Sequence, residues 1–191
     1  MKIKVQITTA GNMKYYNCAK NTIIEIELED YIKCVVASEI GNAPIEACKA
    51  QAIAARTFAV GRKVLEGKAI SDDAGKAQAF RADRTNYKNC NEAVDATKGL
   101  ILTYGGKYIG AYYSHSNGGR TYSCEEVWGS KRPYLIARKD EWTLATGQKK
   151  NGHGIGMSQV GARYAAQQGV GYREILSFYY PYTTIKSIET K

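Results

Sequence analysis

PIEACKAQAIAARTFAVGRKVLEGK, from Pro44 to Lys68, has the most regular helical pattern in the chain. Its apolar stripe has i, i+3/i+4 spacing and consists almost wholly of small residues: Ile45, Cys48, Ala52, Ala55 and Ala59. Small side chains let another element approach the helix axis closely, so we expect this helix to lie at the centre of the fold. Gln51 and Arg56 lie within the alanine-rich body, where each needs a partner or a task if it is buried.

The sequence before and after this helix predicts short strands and helices. Alternating apolar and polar residues from Lys2 to Thr8 and from Thr22 to Leu28 predict two strands. Glu29 to Ile40 has the pattern of a short helix. Gly67 to Asn91 is polar and predicts a long loop, and Glu92 to Lys98 a short helix.

The second half begins with a hairpin, because Gly105-Gly106 supplies the positive φ angles of a tight turn between Leu100–Tyr104 and Lys107–Tyr113. Two helices and a strand follow: a helix capped by Ser158 or Gln159 and ended by Gly169, a helix from Tyr172 to Tyr180, and a strand from Thr184 to Ile188. The prediction is an α+β fold in a single domain over residues 1–191. It has a long central helix of small residues, a hairpin and short, mostly antiparallel strands.

Composition and charge limit the class of protein. A chain of 191 residues with 44% hydrophobic and 24% charged residues is typical of a soluble globular domain, which excludes disordered, collagen and coiled-coil classes. The net charge of +9 favours anionic partners such as nucleic acid, a membrane surface or an acidic cell-wall polymer. Nucleic acid is the weakest of the three, because the chain has no dense Lys/Arg run and no DNA-reading motif.

The five cysteines contain no CxxC pair, and with only two histidines they argue against a zinc cage. Cys34 and Cys48 fall in apolar helical patterns, where a free thiol behaves as a small hydrophobic group. Nothing in the spacing requires a disulfide framework. The first ten residues, MKIKVQITTA, contain no apolar run long enough for a signal peptide, and no later segment could span a membrane.

Two glycine-rich polar loops are candidate sites. GHGIGMSQVGA, from Gly152 to Ala162, holds four glycines together with His153, Ser158 and Gln159. Glycines this dense weaken a helix or strand but suit backbone that turns sharply or approaches another group closely. The alternative interpretation is a flexible surface turn before a helix. The second loop runs from Ser114 to Gly119.

Glu39 is the best candidate for an acid catalyst. It ends the mostly apolar run Cys34–Ser38, and apolar surroundings favour the neutral carboxyl and raise its pKa toward the range of a general acid. The alternative is a glutamate that points to solvent at a helix end. Three adjacent acidic pairs are expected to be solvated surface: Asp72-Asp73, Glu125-Glu126 and Asp140-Glu141. A serine nucleophile is not indicated, because no GxSxG elbow is present.

Six ordered segments resemble a known bacterial family, that of stage II sporulation protein D, which includes the amidase-enhancer proteins. They extend from about Leu28 to Ile185, and read LEDYIKCVVASEI, APIEACKAQAIAARTFA, ATKGLILTYGGKYIGAYYSHSNGGRT, EEVWGSKRPYL, GHGIGMSQVGARYAAQQG and YREILSFYYPYT. The resemblance implies a lytic transglycosylase that acts on peptidoglycan glycan strands, in some members strands without stem peptides. It also implies an extracytoplasmic location in the cell envelope, and we expect no cofactor.

The resemblance assigns roles to residues of this chain. Glu39 matches the essential glutamate, and Arg56 matches an arginine that positions the glutamate or the substrate and stabilises developing charge. Six residues would bind substrate: Ser116, Asn117, Tyr134, His153, Ser158 and Gln159. The partners would be glycan strands and a cell-wall amidase or other envelope protein. The alternative is a non-catalytic module that binds peptidoglycan and stimulates an amidase.

Three departures from the family pattern bear on the site. Several members read HSTSGG where this chain has Ser114–Gly119, SHSNGG, with its histidine one position later. Some members carry zinc-binding Cys and His before a Gln-x-Tyr triplet. Here the segment is Gly75–Phe80, GKAQAF, so we expect no metal. Larger members carry a long insertion between the motifs of Tyr134 and His153, and its absence here predicts a more open groove.

Overall fold

The structure is a computed structural model that describes residues 1–61 and 67–188. Within these residues the helices are α1 Ala10–Tyr16, α2 Leu28–Glu39, α3 Ile45–Gly61, α4 Lys88–Ala96, α5 Cys124–Trp128, α6 Glu141–Ala145, α7 Gln159–Gln167 and α8 Tyr172–Tyr179. The strands are β1 Lys2–Gln6, β2 Ile23–Glu27, β3 Ile70–Ser71, β4 Leu100–Tyr104, β5 Lys107–Tyr108, β6 Tyr113–Ser114, β7 Arg120–Thr121, β8 Arg138–Lys139, β9 Met157–Ser158 and β10 Thr184–Ser187. The predicted α+β class is confirmed.

Helix α3 is the centre of the fold, as its small-residue stripe predicts. It packs against α2, α4, α7, α8 and β4, and its residues from Ala50 to Val60 are all buried. One side of α3 contributes to a core with β1, α2 and α4, and the other to a core with β4, α7 and α8. The last part of the predicted helix, residues 62–66, lies outside the described residues.

The strands form small sheets around this helix. One sheet has the order β2-β1-β3, in which β1 pairs antiparallel with β2 and parallel with β3. A second sheet, β10-β4-β5, is antiparallel throughout. Two pairs remain, parallel β6-β9 and antiparallel β7-β8. Antiparallel pairings therefore predominate, as predicted.

The predicted hairpin is shorter than expected, and this difference creates the site. Its second strand ends at Tyr108 rather than Tyr113, because the chain leaves β4 and pairs Tyr113 and Ser114 with β9 instead. The β6-β9 pairing brings the two glycine-rich loops together. Gly156 allows the close approach, since its φ is +70° and a Cβ there would collide with the carbonyl oxygen of Tyr112.

Other boundaries differ more modestly. Helix α4 begins at Lys88, earlier than predicted, and the short helices α1, α5 and α6 were not predicted. Ser158 caps α7, as one of the two predicted alternatives, and its side chain accepts from the Gly161 amide at 3.3 Å.

The described residues contain free cysteines, and the Sγ atoms of Cys48 and Cys90 lie 3.8 Å apart. Within residues 1–61 and 67–188, no group of three His, Cys, Asp or Glu side chains is placed to hold a metal ion. Over the same ranges, no helix has both the length and the apolar character needed to cross a membrane.

Candidate functional site

Glu39 opens onto a cavity of about 520 Å³ where α2 ends. The helix stops there because the chain turns at Gly41, whose φ is +58°. The carboxyl is half-buried. The remaining wall consists of the segments 74–77, 112–115 and 151–153 together with Phe58 and Trp128. Parts of both glycine-rich loops therefore face the candidate acid.

Two hydrogen bonds hold the Glu39 carboxyl. Oε1 accepts from the Ala79 amide at 2.7 Å, and Oε2 accepts from Nε2 of Gln159 at 3.0 Å. Burial raises the pKa of Glu39, and the two hydrogen bonds oppose that rise without cancelling it. This is the direction that the apolar run before Glu39 predicts. The carboxyl is thus fixed in position and favours the protonated form more than an exposed glutamate does.

The segment that delivers the Ala79 amide is anchored by Asp72, which is buried rather than solvated as expected. Its Oδ1 accepts from the amide and hydroxyl of Thr8, at 2.8 and 2.6 Å, and its Oδ2 from the same two groups of Thr9 and from Asn12. Burial alone would raise the pKa of Asp72, but these donors outweigh it and lower the pKa. The prediction of a solvated pair is wrong here, because Asp72 ties the predicted loop to the start of α1.

A chain of neutral hydrogen bonds lies beside Glu39. The Tyr113 hydroxyl donates to Oε1 of Gln78 at 2.7 Å, and Nε2 of Gln78 donates to the Tyr31 hydroxyl at 3.0 Å. Burial, and then the negative charge of Glu39, raises the pKa of Tyr113 well above its ordinary value. Tyr113 therefore stays protonated next to the carboxyl. The sequence analysis did not predict these hydrogen bonds, because Gln78 lies in a segment whose polar composition indicates only a loop.

His153 lines the cavity as a neutral ring. Burial lowers its pKa, and the Ile155 amide donates to its Nδ1 at 2.9 Å, which leaves the ring proton on Nε2. The backbone of Tyr113 makes a further hydrogen bond to the ring. His153 therefore lies where the predicted substrate contact requires it, and that role stays a prediction.

Gln159 is predicted to contact substrate, but its side chain contacts the candidate acid instead. Its side chain is 5% exposed and donates to Glu39. It begins α7 directly after β9, so the pairing of β9 with β6 fixes its distance from the acid. The geometry makes Gln159 a positioning residue for the carboxyl.

Three other predicted substrate contacts are buried and build the loops instead. The Ser116 hydroxyl accepts from a loop amide, and Nδ2 of Asn117 donates to Oδ2 of Asp140 at 2.6 Å. The Ser158 hydroxyl contacts that of Thr143, which in turn donates to Asp140. The substrate-binding prediction is corrected for Ser116, Asn117 and Ser158. Asp140 is likewise fully buried, contrary to the expectation for its acidic pair.

Arg56 is also placed away from the candidate acid. Its buried guanidinium forms a two-point ion pair with Glu29, and Nη1 donates to the Leu100 carbonyl at 3.0 Å. Glu29 and Glu39 stand at opposite ends of α2, ten residues or about 15 Å apart along the helix. The predicted catalytic role is therefore corrected: Arg56 joins α3 to the start of α2 and to β4.

Gln51, the other polar residue of the α3 body, is fully buried, and neither its Oε1 nor its Nε2 has a hydrogen-bond partner among the described residues. Nothing in the structure explains this side chain.

Tyr134 lies in a neighbouring cavity of about 220 Å³ that shares Phe58 and Tyr112 with the cavity of Glu39. The hydroxyl of Tyr134 accepts from the Gly110 amide at 3.3 Å, and the side chain is largely buried. Arg132 lines the same cavity. A substrate role for Tyr134 thus requires a ligand long enough to occupy both cavities.

Comparison with known proteins gives a consistent result. Residues 16–104 match the family model described as stage II sporulation protein. The amidase enhancer of Bacillus subtilis (strain 168) is 40% identical over 126 residues, which cover 62% of this chain and 17% of that protein. Stage II sporulation protein D of the same organism is 34% identical over 146 residues, 66% of this chain and 42% of that protein. The chain thus spans less than half the length of either relative.

A third relative, stage II sporulation protein D of Bacillus amyloliquefaciens, is 28% identical over an alignment of 263 residues that covers 86% of this chain and 76% of that protein. The alignment is longer than the 191 residues of this chain, so the relative carries inserted segments.

Proposed function

Since the chain belongs to the stage II sporulation protein D family, we propose that it is a lytic transglycosylase that cuts peptidoglycan glycan strands. The proposal rests on one observation, namely that the described part of the cavity wall contains a single carboxylate. Glu39 is the one carboxylate among the described residues that line the cavity. Most glycoside hydrolases need two carboxylates, one as acid and one as base or nucleophile. A lytic transglycosylase replaces the second with the 6-hydroxyl of the sugar itself.

In the first step Glu39 acts as general acid. Its protonated carboxyl donates to the glycosidic oxygen as the bond to the muramic acid anomeric carbon breaks, and the leaving sugar departs with a new hydroxyl. The raised pKa of Glu39 supports this role, since the proton must be present before the reaction begins.

In the second step Glu39 acts as general base. The carboxylate left by the first step takes the proton of the 6-hydroxyl, whose oxygen closes a 1,6-anhydro ring on the anomeric carbon. The proton returns to Glu39, and the enzyme is restored. The Ala79 amide and Gln159 stabilise the carboxylate between the two steps, and neutral Tyr113 adds no charge that would compete with it.

The experiment compares Glu39→Gln with wild type on purified sacculi and on peptide-free glycan, with mass spectrometry of the released products. We expect anhydro-muramic ends from wild type and none from Glu39→Gln. Glu25→Gln is the matched control, because Glu25 is an exposed carboxylate on β2, outside the cavity lining. Full activity in Glu39→Gln rules out the mechanism.

A second function has one observation in its favour, the similarity to a protein named amidase enhancer. In this alternative the chain binds peptidoglycan, makes no cut and stimulates a partner amidase. It predicts that the protein pellets with sacculi and increases amidase activity, that no anhydro products form, and that Glu39→Gln changes neither result. The product analysis of the previous experiment separates the two functions.

The proposed setting is the cell envelope, with glycan strands as substrate and an amidase or another envelope protein as partner. The net charge of +9 supports binding to an anionic wall polymer. Such attraction is screened by salt, so the fraction that pellets with sacculi should fall as ionic strength rises. Pelleting that does not change with salt contradicts this electrostatic contribution.

A further inference from the structure

Trp128 is a large aromatic side chain that stays 45% exposed on the wall of the Glu39 cavity. It is the last residue of α5, a short helix fixed at both ends. Ser123 and Glu126 form a capping box at its start, and Gly129 at φ +71° ends it. The backbone under the indole is therefore held firmly, although the helix is short.

Two neighbouring rings also hold the indole in place. Its ring lies 4.7 Å from the ring of Tyr112 at 71°, and 5.1 Å from the ring of His153 at 58°. Tyr112 in turn packs edge-on against Phe58, which also lines the cavity. An aromatic cluster built only for the core would bury its largest member, whereas this one presents it to the cavity.

The rings next to the indole favour a ligand with an apolar face. The two ring neighbours, Tyr112 and the neutral imidazole of His153, carry no charge themselves, while Lys76 lies on the same cavity wall and the charge of Lys150 acts on His153. A pyranose ring has the complementary surface, with a face of C–H groups and hydroxyls at its edge.

We propose that Trp128, with Tyr112 and His153 packed beside it on the cavity wall, is the stacking platform for one pyranose ring of a glycan strand bound beside Glu39. This assignment rests on the proposed function, because it takes its ligand from there. Stacking fixes the plane of one sugar, and so sets which glycosidic oxygen reaches the carboxyl. Trp128 is thus a binding and positioning residue.

Fluorescence tests the platform directly, because the chain has two tryptophans and the other, Trp142, packs against Phe178 and Tyr179. In a Glu39→Gln background, Trp142→Phe leaves Trp128 as the single tryptophan. Titration with tetra-N-acetylchitotetraose and with peptide-free glycan should give a saturable blue shift of its emission. The matched control, Trp128→Phe with Trp142 retained, should show no shift. Unchanged Trp128 emission at glycan concentrations that saturate binding overturns the proposal.

Kinetics provide the second readout. Trp128→Leu should raise KM for glycan about tenfold, with a smaller change in kcat, because it removes one stacked face. Trp128→Phe should keep most of the affinity, and both variants should melt at the wild-type temperature. A wild-type KM in a folded Trp128→Leu protein contradicts the platform.

These outcomes separate the platform from the proposed function. A glycan-induced shift of Trp128 in the single-tryptophan protein, together with no release of anhydro ends by wild type, supports the platform and removes the transglycosylase. Release of anhydro ends with a wild-type KM in Trp128→Leu supports the transglycosylase and overturns the platform. If Trp128→Leu loses amidase stimulation at unchanged glycan affinity, the indole contacts a protein partner and the platform is overturned.

Discussion

Asp72 and Glu39 are two carboxylates connected by the segment 72–79, which begins at Asp72 and donates its Ala79 amide to Glu39. Their environments shift the two pKa values in opposite directions. Asp72 accepts five hydrogen bonds, from Thr8, Thr9 and Asn12, and its pKa is lowered. Glu39 accepts two hydrogen bonds, faces a cavity, and has a raised pKa. Burial pushes both pKa values upward, so the number of donors decides the sign.

The difference separates a structural carboxylate from a reactive one. Five donors keep Asp72 ionised and occupy its carboxylate oxygens, so it holds the segment that begins there. Two donors leave Glu39 with lone-pair directions free toward the cavity and with an accessible protonated form. The first carboxylate anchors the chain that carries the Ala79 amide to the second.

The largest effect is expected on catalysis. Glu39→Gln should lower kcat for glycan cleavage by about 10³-fold, because it removes a general acid and base but keeps the shape of the side chain. Asp72→Asn should retain its kcat per folded molecule within a few-fold. Single-turnover release of anhydro ends, normalised to folded protein, measures both. Equal losses in the two variants contradict the division.

Stability should respond in the opposite way. Asp72→Asn should lower the free energy of unfolding by about 3 kcal/mol, because one oxygen is replaced by a donor that faces backbone and hydroxyl donors. Urea unfolding at pH 7 gives the difference. Since the pKa of Asp72 is lowered in the folded state, its contribution is present above the ordinary aspartate pKa and is lost as pH falls. The gap between variant and wild type should therefore narrow in acid.

A smaller effect is expected from removing one donor to Glu39. Gln159→Leu should raise the pKa of Glu39 further, because Oε2 loses a hydrogen bond that favours the ionised form. The alkaline limb of the pH–rate profile should move to higher pH, and kcat should fall about tenfold because the carboxylate of the second step is less stabilised. A fall in kcat with an unshifted limb indicates a merely structural role for Gln159.

Glu39 should also destabilise the fold once it ionises. Because the pKa of Glu39 is raised in the folded state, the contribution of its carboxyl to the free energy of unfolding is fully present below the ordinary glutamate pKa. That contribution is lost as pH rises through the raised pKa. Glu39→Gln carries no such titration. The variant should therefore match wild type at low pH and exceed it in Tm at neutral and alkaline pH. A Tm difference that is constant with pH would show that Glu39 is not strained by burial.

The sequence predicted the parts of this arrangement that depend on local pattern. The small-residue stripe of α3 led to the central helix, and the apolar run before Glu39 led to the raised pKa. The depth of Asp72 and Asp140 could not be predicted, because each accepts hydrogen bonds from residues distant in the chain, such as Thr8 for Asp72 and Asn117 for Asp140. A polar composition looks the same whether its side chains face solvent or each other.

The family motifs had the same limit. They drew attention to the glycine-rich loops, but a motif does not say which of its residues face a ligand. Ser116 and Ser158 are buried in the β6-β9 region, whereas Trp128, which was not among the predicted site residues, faces the cavity. The register of the β6-β9 pairing decides which of these side chains are buried. That register follows from the pairing of Tyr113 with Met157, two residues far apart in sequence.

Gln51 extends the comparison to a buried polar side chain with no donor or acceptor partner among the described residues. Where Asp72 gains from five hydrogen bonds, Gln51 carries only the cost of leaving water. Gln51→Met keeps the length of the side chain and removes both polar atoms, so it should raise the free energy of unfolding by about 1 kcal/mol. Ala52→Gly, on the same helix, is the control for a loss of helix propensity and should be destabilising. Lower stability in Gln51→Met would mean that the cost of burying the Gln51 amide is compensated in the folded state, as it is for Asp72, and would contradict the interpretation of Gln51 as an unpaired polar group.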